Sequence, residues 1–291
     1  MSWRARISTG CATLTLGLLW TTQVRAQAAE LGWDPRWPKF RPSEYVLTGV
    51  TGAAALVLYF GVHDAQTARG TGGILFDDYF REALRLRAPA GRDLARTISD
   101  WTALSAMSWA IAVDSLAVPL ARGSSELSGQ MLLMDAEAFS VSTLITTVIF
   151  KTVARGRPSY VECGKDSNYD PLCKLHATGS FPSGHTNTAF TAAGLSCAHH
   201  LHVPLYGDRL ADVLACAGTL TLAAATGTLR IAGDRHYTTD VLVGALIGFS
   251  IGYGMPTLLH YGNVQGAATA SSAMQPLARV VPLGPTISGS F

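Results

Sequence analysis

Charged side chains are scarce in this chain of 291 residues, 14% against about 25% in an ordinary soluble protein. Neither sign dominates, and the formal net charge is only +2. A balance that small gives no basis for nucleic-acid binding or for a polybasic membrane-surface protein. Internal repeats are also missing, so nothing divides the chain and it reads as one domain. Of the five cysteines, Cys11 lies in the N-terminal segment, Cys197 and Cys216 sit in apolar helical stretches, and Cys163 and Cys173 share a polar loop. The loop pair can bridge if it faces an oxidising compartment, and two reduced thiols fit the sequence nearly as well.

What is present is apolar. Hydrophobic residues make up 48% of the chain, with a mean hydropathy of +0.24. Six apolar helical segments are read at 45–62, 101–121, 129–150, 185–203, 211–229 and 238–259. Their lengths approach the roughly 20 residues that cross a bilayer. The expected fold is therefore all-α, a six-helix bundle embedded in a membrane. Asp114, Asp135 and Glu137 fall inside two of these segments; such acids face a bundle interior or a cavity, or else mark a soluble helical core. Arg69, Arg81, Arg85, Arg87, Arg92 and Arg96 are mixed with acids over 69–100, a pattern that fits an amphipathic helix along a surface and a plain solvated helix equally.

The chain opens with Trp3-Arg4-Ala5-Arg6, an apolar run from Ile7 to Trp20, and small-residue cleavage patterns at Val24-Arg25-Ala26 and Ala26-Gln27-Ala28. That layout predicts an export signal over 1–28. The expected organisation continues with an extended linker over 29–44, a helical domain over 45–261, and a poorly ordered Gly-, Ala-, Ser- and Pro-rich tail over 262–291.

Three polar segments stand out. Lys151 is followed by Arg157-Pro158, with Gly156 and Pro158 stopping the helix so that Arg157 leaves its axis. An arginine can grip phosphate oxygens bidentately and a lysine can act as a point charge, although basic residues at a helix C-terminus also simply complement its dipole. Phe181-Pro182-Ser183-Gly184-His185 precedes the fourth apolar segment. Ser183 is a suitable N-cap, Gly184 allows close approach to free amides, and His185 stands at the rim; a capped helix beside a solvent-facing histidine accounts for the same residues. The third segment runs from Arg230 through His236 to Asp240. If a helix begins near His236, the four-residue spacing places Asp240 within reach of one imidazole nitrogen. A structural His–Asp pair is the plainer alternative.

Together these segments supply cations, an amide nest, two histidines and one acid at neighbouring helix ends. In parts, order and internal spacing the sequence resembles the type 2 phosphatidic acid phosphatase superfamily, over about Lys151 to Asp240. The resemblance implies a phosphatase without a metal or other cofactor, whose substrate is a phosphorylated lipid or a small phosphate ester. It implies that Lys151, Arg157, Ser183, Gly184 and Arg230 bind phosphate. It further implies that His236 is the nucleophile forming a phosphohistidine, that Asp240 orients it, and that His185 protonates the leaving oxygen. One position departs from the pattern: Leu229, with Thr228 before it, stands where the family usually has serine.

Clustered guanidiniums can stabilise phosphoryl oxygens as metal ions do elsewhere. His199, His200 and His202 invite a metal reading, but no further ligands lie nearby in sequence, and a polar helix end is expected instead. A vanadate-dependent haloperoxidase-like enzyme and a non-catalytic lipid-phosphate-binding membrane protein are the alternative functions. For sidedness, a cleaved signal followed by six spans places the catalytic ends in the cytoplasm, in line with positive-inside bias. Export, the Cys163–Cys173 pair and the bacterial members of the family favour a periplasmic site in an inner-membrane protein, with a soluble or peripheral periplasmic enzyme as the alternative.

Overall fold

The computed structural model describes residues 31–65, 67–171, 173 and 178–262. The expected export signal at 1–28 lies outside them, as does all but the first residue of the expected tail at 262–291. Proline opens three of the helices at their first turn, where a missing N–H costs nothing. Eight helices follow in order: α1 (Pro42–Gly61), α2 (Asp77–Leu84), α3 (Pro89–Ala121), α4 (Ser125–Val153), α5 (Pro158–Lys165), α6 (Gly184–His202), α7 (Arg209–Ala232) and α8 (Thr238–Tyr261). No strand occurs among the described residues, only two isolated bridges, Gly70 with Arg155 and Gly156 with Thr178. Each of the six apolar segments coincides with one of these helices, with 45–62 and 185–203 running one residue past the helix end. The short α2 and α5 are additions, because polar eight-residue helices carry no apolar run to announce them.

Among the described residues five helices, α1, α3, α4, α7 and α8, are long and apolar enough to cross a membrane. Their outward faces agree with that reading: Val46, Val50, Val57 and Phe60 on α1, Leu94 and Trp101 on α3, Leu210 and Leu214 on α7, and Leu242 and Leu246 on α8 are all exposed. Apolar surface on that scale is not stable against water, and the chain is a membrane protein.

α6 is different. It is enclosed by α3, α4, α7 and α8, and most of its length is buried. Small residues make this possible. On α8, Cβ atoms added at Gly244, Gly248 and Gly252 would come within 2.6, 2.3 and 2.2 Å of the carbonyl oxygens of Ser183, Asn187 and Thr191 on or beside α6. The two backbones touch along three turns, as small-residue spacing permits in membranes. Ala103, Ala106 and Ala110 of α3, Ala189, Ala192 and Ala193 of α6, and Ala223 of α7 fill the opposite side. Cys197 of α6 and Cys216 of α7, which the sequence placed only in apolar helical stretches, are disulfide-bonded with a Cα separation of 4.4 Å.

At the end of the bundle remote from the three polar segments, Trp33 and Trp37 pack edge-on at 5.4 Å and Trp37 meets Tyr261 at 4.9 Å. These rings close a cluster with Leu127, Met131, Met134, Val203 and Leu205. The intrahelical acids turn inward there. Asp135 lies 3.0 Å from His199 Nε2, Asp114 lies 3.1 Å from His200 Nε2, and His200 Nδ1 meets Asp212 at 2.7 Å. His199 and His200, expected on a polar helix end, are instead buried partners of carboxylates.

The arginines of 69–100 form no single amphipathic helix: Arg81 lies in α2, Arg92 and Arg96 in the start of α3, and Arg69, Arg85 and Arg87 in the connections. Arg81 pairs with Asp234 at 2.7 Å, while Arg92 and Arg96 are buried and both engage Asp170. Ile74, Leu75 and Tyr79, in and just before α2, remain exposed beside these pairs.

Candidate active site

The three polar segments converge on one face. α4 ends where Ala154 takes a left-handed conformation, φ 46°, and the next residues run extended. Gly156 N donates to Gly70 O at 2.8 Å, and Ser180 N donates to Arg155 O at 3.0 Å. A regular extended chain would put Arg155 and Arg157 on one side, yet here the two side chains diverge to different partners. Arg155 turns inward to Asp240 Oδ1 at 2.6 Å and Asp77 Oδ2 at 2.8 Å, with its guanidinium 4.1 Å over the Tyr237 ring. Arg157 turns to a cavity of about 580 Å³, with its Nε donating to Thr178 O at 3.2 Å. Burial and the neighbouring Arg235 and Arg230 hold the Arg157 guanidinium well below its ordinary pKa. Lys151 is not brought to the cavity. It still belongs to α4, on the side facing the end of α1, and its Nζ donates to Val62 O and Asp64 Oδ1, both at 2.5 Å.

Ser183 occupies the N-cap position of α6, but its hydroxyl does not cap the helix. The Ser183 Oγ is buried and accepts from Thr186 Oγ1 at 2.8 Å, and its N–H donates to Asp240 O at 3.0 Å. Gly184 and His185 line the cavity. A Cβ added at Gly184 would meet nothing within 4 Å, so the missing side chain leaves open the path to the first-turn amides. His185 Nε2 lies 3.2 Å from Asp100 Oδ1, and the same carboxylate takes a hydrogen bond from Arg230. Enclosure and the charge on Arg230 push His185 down to about 4, against the opposing pull of Asp100.

The third segment departs from expectation in one respect. α8 begins at Thr238 with Tyr237 as its N-cap, so His236 precedes the helix and a four-residue helical spacing does not apply. Asp240 is the third helical residue and accepts from Tyr237 N at 2.8 Å. His236 Nδ1 donates to Ser180 O at 2.6 Å, and Asp240 Oδ2 is 4.0 Å away. Asp240 acts at one remove: its Oδ2 accepts from Ser180 Oγ at 2.5 Å and so holds the residue whose carbonyl holds the imidazole. With Nδ1 protonated, Nε2 is the basic nitrogen, and His236 lines the cavity. Burial, reinforced by Arg157 and Arg230, lowers the His236 pKa well below its usual value and keeps the ring neutral.

Arg230 and Arg235 complete the polar end of the cavity. The other end is apolar, formed by Leu56, Tyr59 and Phe60 of α1, Leu104 and Met107 of α3, and Phe150 of α4. Thr228 does not substitute for the serine that Leu229 replaces, because its hydroxyl donates to Ala224 O of its own helix at 3.0 Å. Sequence reasoning missed Arg155, Ser180, Asp100 and Arg235. All four depend on contacts between elements far apart in the chain, Arg155 on Asp77 and Asp240 among them. Behind the site, Cys163 and Cys173 are bonded with a Cα separation of 5.3 Å.

Comparison with known proteins places this geometry. Residues 136–263 match the model of the PAP2 superfamily. A lipid A 1-phosphatase of Porphyromonas gingivalis is 34% identical over 45% of this chain and 24% of its own length. Phospholipid phosphatase-related protein type 1 of Mus musculus is 31% identical over 45% of this chain and 41% of its own. The chain thus spans well under half the length of these relatives. A transmembrane PAP2-type phosphatidylglycerolphosphate phosphatase from Bacillus subtilis superposes with a TM-score of 0.46 and 19% identity, covering 80% of this chain and 98% of that one. The stretch that matches the PAP2 superfamily model, residues 136–263, carries the histidines, arginines and amides gathered around the cavity.

Proposed function

We propose that the chain hydrolyses a phosphate ester or diphosphate carried by a lipid, through a phosphohistidine on His236. The observation that carries this reading is the polarity of the cavity, with arginines and histidines at one end and apolar side chains of α1, α3 and α4 at the other. The polar end suits a phosphate and the apolar end suits the chain attached to it. The PAP2 match and a relative named as a lipid A phosphatase support the same chemistry. Exposed Ile74, Leu75 and Tyr79 beside the site supply apolar contacts for a membrane surface near the cavity.

In this reading Arg157, Arg230 and the Gly184–His185 amides hold the non-bridging oxygens. His236 Nε2 attacks phosphorus as the bond to the leaving oxygen breaks, and His185 delivers a proton to that oxygen. Water then attacks the phosphohistidine, giving its proton to His185 and releasing inorganic phosphate. The guanidiniums supply the charge stabilisation, so no step calls on a metal ion. The Cys163–Cys173 bond on the catalytic face supports a site in an oxidising compartment, the periplasmic side of an inner membrane.

The test offers purified protein a panel of lipid and soluble phosphates in the presence of a chelator and measures phosphate release. Turnover of amphiphilic phosphates is expected, with a loss of roughly 10²- to 10⁴-fold in His185→Ala and near-complete loss in His236→Ala. Phosphate release by His236→Ala at the wild-type rate contradicts the mechanism. Anion binding without turnover on any member of the panel supports the binding-only alternative.

A further inference from the structure

Buried arginines in this fold are matched to acids, with one group of exceptions. Arg81 has Asp234, Arg92 and Arg96 have Asp170, and Arg155 has Asp77 and Asp240. Arg235 is 8% exposed, lines the cavity, and makes no side-chain hydrogen bond or ion pair with any described residue. Its backbone explains why it points there. Arg235 N donates to Arg230 O at 3.0 Å, which draws the 230–236 turn tight and presents Arg230, Arg235 and His236 to the same space. Arg157 reaches that space from another loop and gives only its Nε to a protein acceptor. Asp100 is the carboxylate lining the cavity, and it is already shared by Arg230 and His185. A buried charge without a partner costs several kcal/mol, and here the uncompensated charge is concentrated around open volume beside the attacking histidine.

We propose that Arg235 is a phosphate-binding residue, gripping a non-bridging oxygen of the phosphoryl group presented to His236 and filling the place in the clamp that motif spacing assigned to Lys151. Lys151 itself is engaged by Val62 and Asp64 outside the cavity. A planar guanidinium can supply two parallel N–H donors to one phosphate, which an ammonium cannot. This inference rests on reading the cavity as a phosphate site.

The test uses the full chain in detergent, with inorganic phosphate and tungstate as probes in titration calorimetry and thermal unfolding as a check on folding. Arg235→Gln is expected to weaken binding of both anions by about tenfold or more, the loss of one charge-assisted contact, while its unfolding temperature stays near wild type. Arg235→Lys, which keeps the charge and loses the fork, is expected to fall between the two. A folded Arg235→Gln that binds phosphate within twofold of wild type overturns the assignment. Should Arg235→Gln fail to fold, Arg235→Lys decides: several-fold weaker binding supports the contact and unchanged binding overturns it. If wild type binds phosphate but hydrolyses no substrate, the hydrolase reading fails while the Arg235 binding ratio still stands or falls separately.

Discussion

At the residue scale, the proposed division of labour between the two histidines rests on their hydrogen bonds. His236 gives Nδ1–H to a fixed backbone carbonyl and keeps Nε2 for phosphorus. His185 stands exposed to the cavity, paired with Asp100. Enclosure and Arg230 lower its pKa to about 4, so it is neutral at pH 7, whereas the general acid of the proposed mechanism must be protonated. A bound phosphate dianion supplies the missing negative charge and raises that pKa. The sign is then fixed: binding takes up a proton between pH 4 and the raised value, and uptake disappears below pH 4, where His185 is already charged. Calorimetry of tungstate binding at pH 7 in buffers of different ionisation enthalpy is expected to show this uptake in wild type and not in His185→Asn. Equal uptake in both would remove His185 as its source. The route by which Asp240 reaches His236, through Ser180, was not legible in the sequence for a definite reason. Four-residue spacing implies contact only inside a helix, and the helix starts after His236, so the carboxylate caps α8 and steadies Ser180 instead.

At the element scale, the bundle depends on a helix pair packed backbone to backbone and on one buried ion-pair junction. Gly248→Ala places a Cβ 2.3 Å from Asn187 O, where no side chain can move aside. Its expected cost is about 1–3 kcal/mol, as for other overpacked cores, read as a lower unfolding temperature in detergent. Arg155→Gln leaves Asp77 and Asp240 buried without their cation, and is expected to cost about 3–5 kcal/mol in the same assay. The helices themselves were legible because long apolar runs leave few other options. The α6–α8 contact was not, since glycine spacing gains meaning only once a partner helix is known to face it. Lys151 shows the same limit. Its sequence spacing to Arg157 fits the phosphatase pattern, yet it is still inside α4, and the helix face it occupies looks toward Val62 and Asp64.

At the scale of the whole molecule, five apolar helices and a polar-ended cavity lined mainly by α1, α3, α4 and α6 explain why the sequence carries so little charge and where that charge is concentrated. Much of it lies at the catalytic face, either neutralised in pairs that lock the loops or left unpaired around the phosphate space. The reaction class was legible in three short segments because each is a helix end with its own physical logic. The support behind them, Arg155 to Asp240 to Ser180 to His236, joins residues up to 85 positions apart and had no local signature. The central claim is a two-step transfer through His236, and stereochemistry at phosphorus tests it most directly. A chirally labelled thiophosphate ester of a lipid alcohol, hydrolysed by the purified protein in isotopically labelled water, should give product with retained configuration, because two inversions occur in sequence. Inversion would mean that water attacks the substrate directly, and would contradict the account.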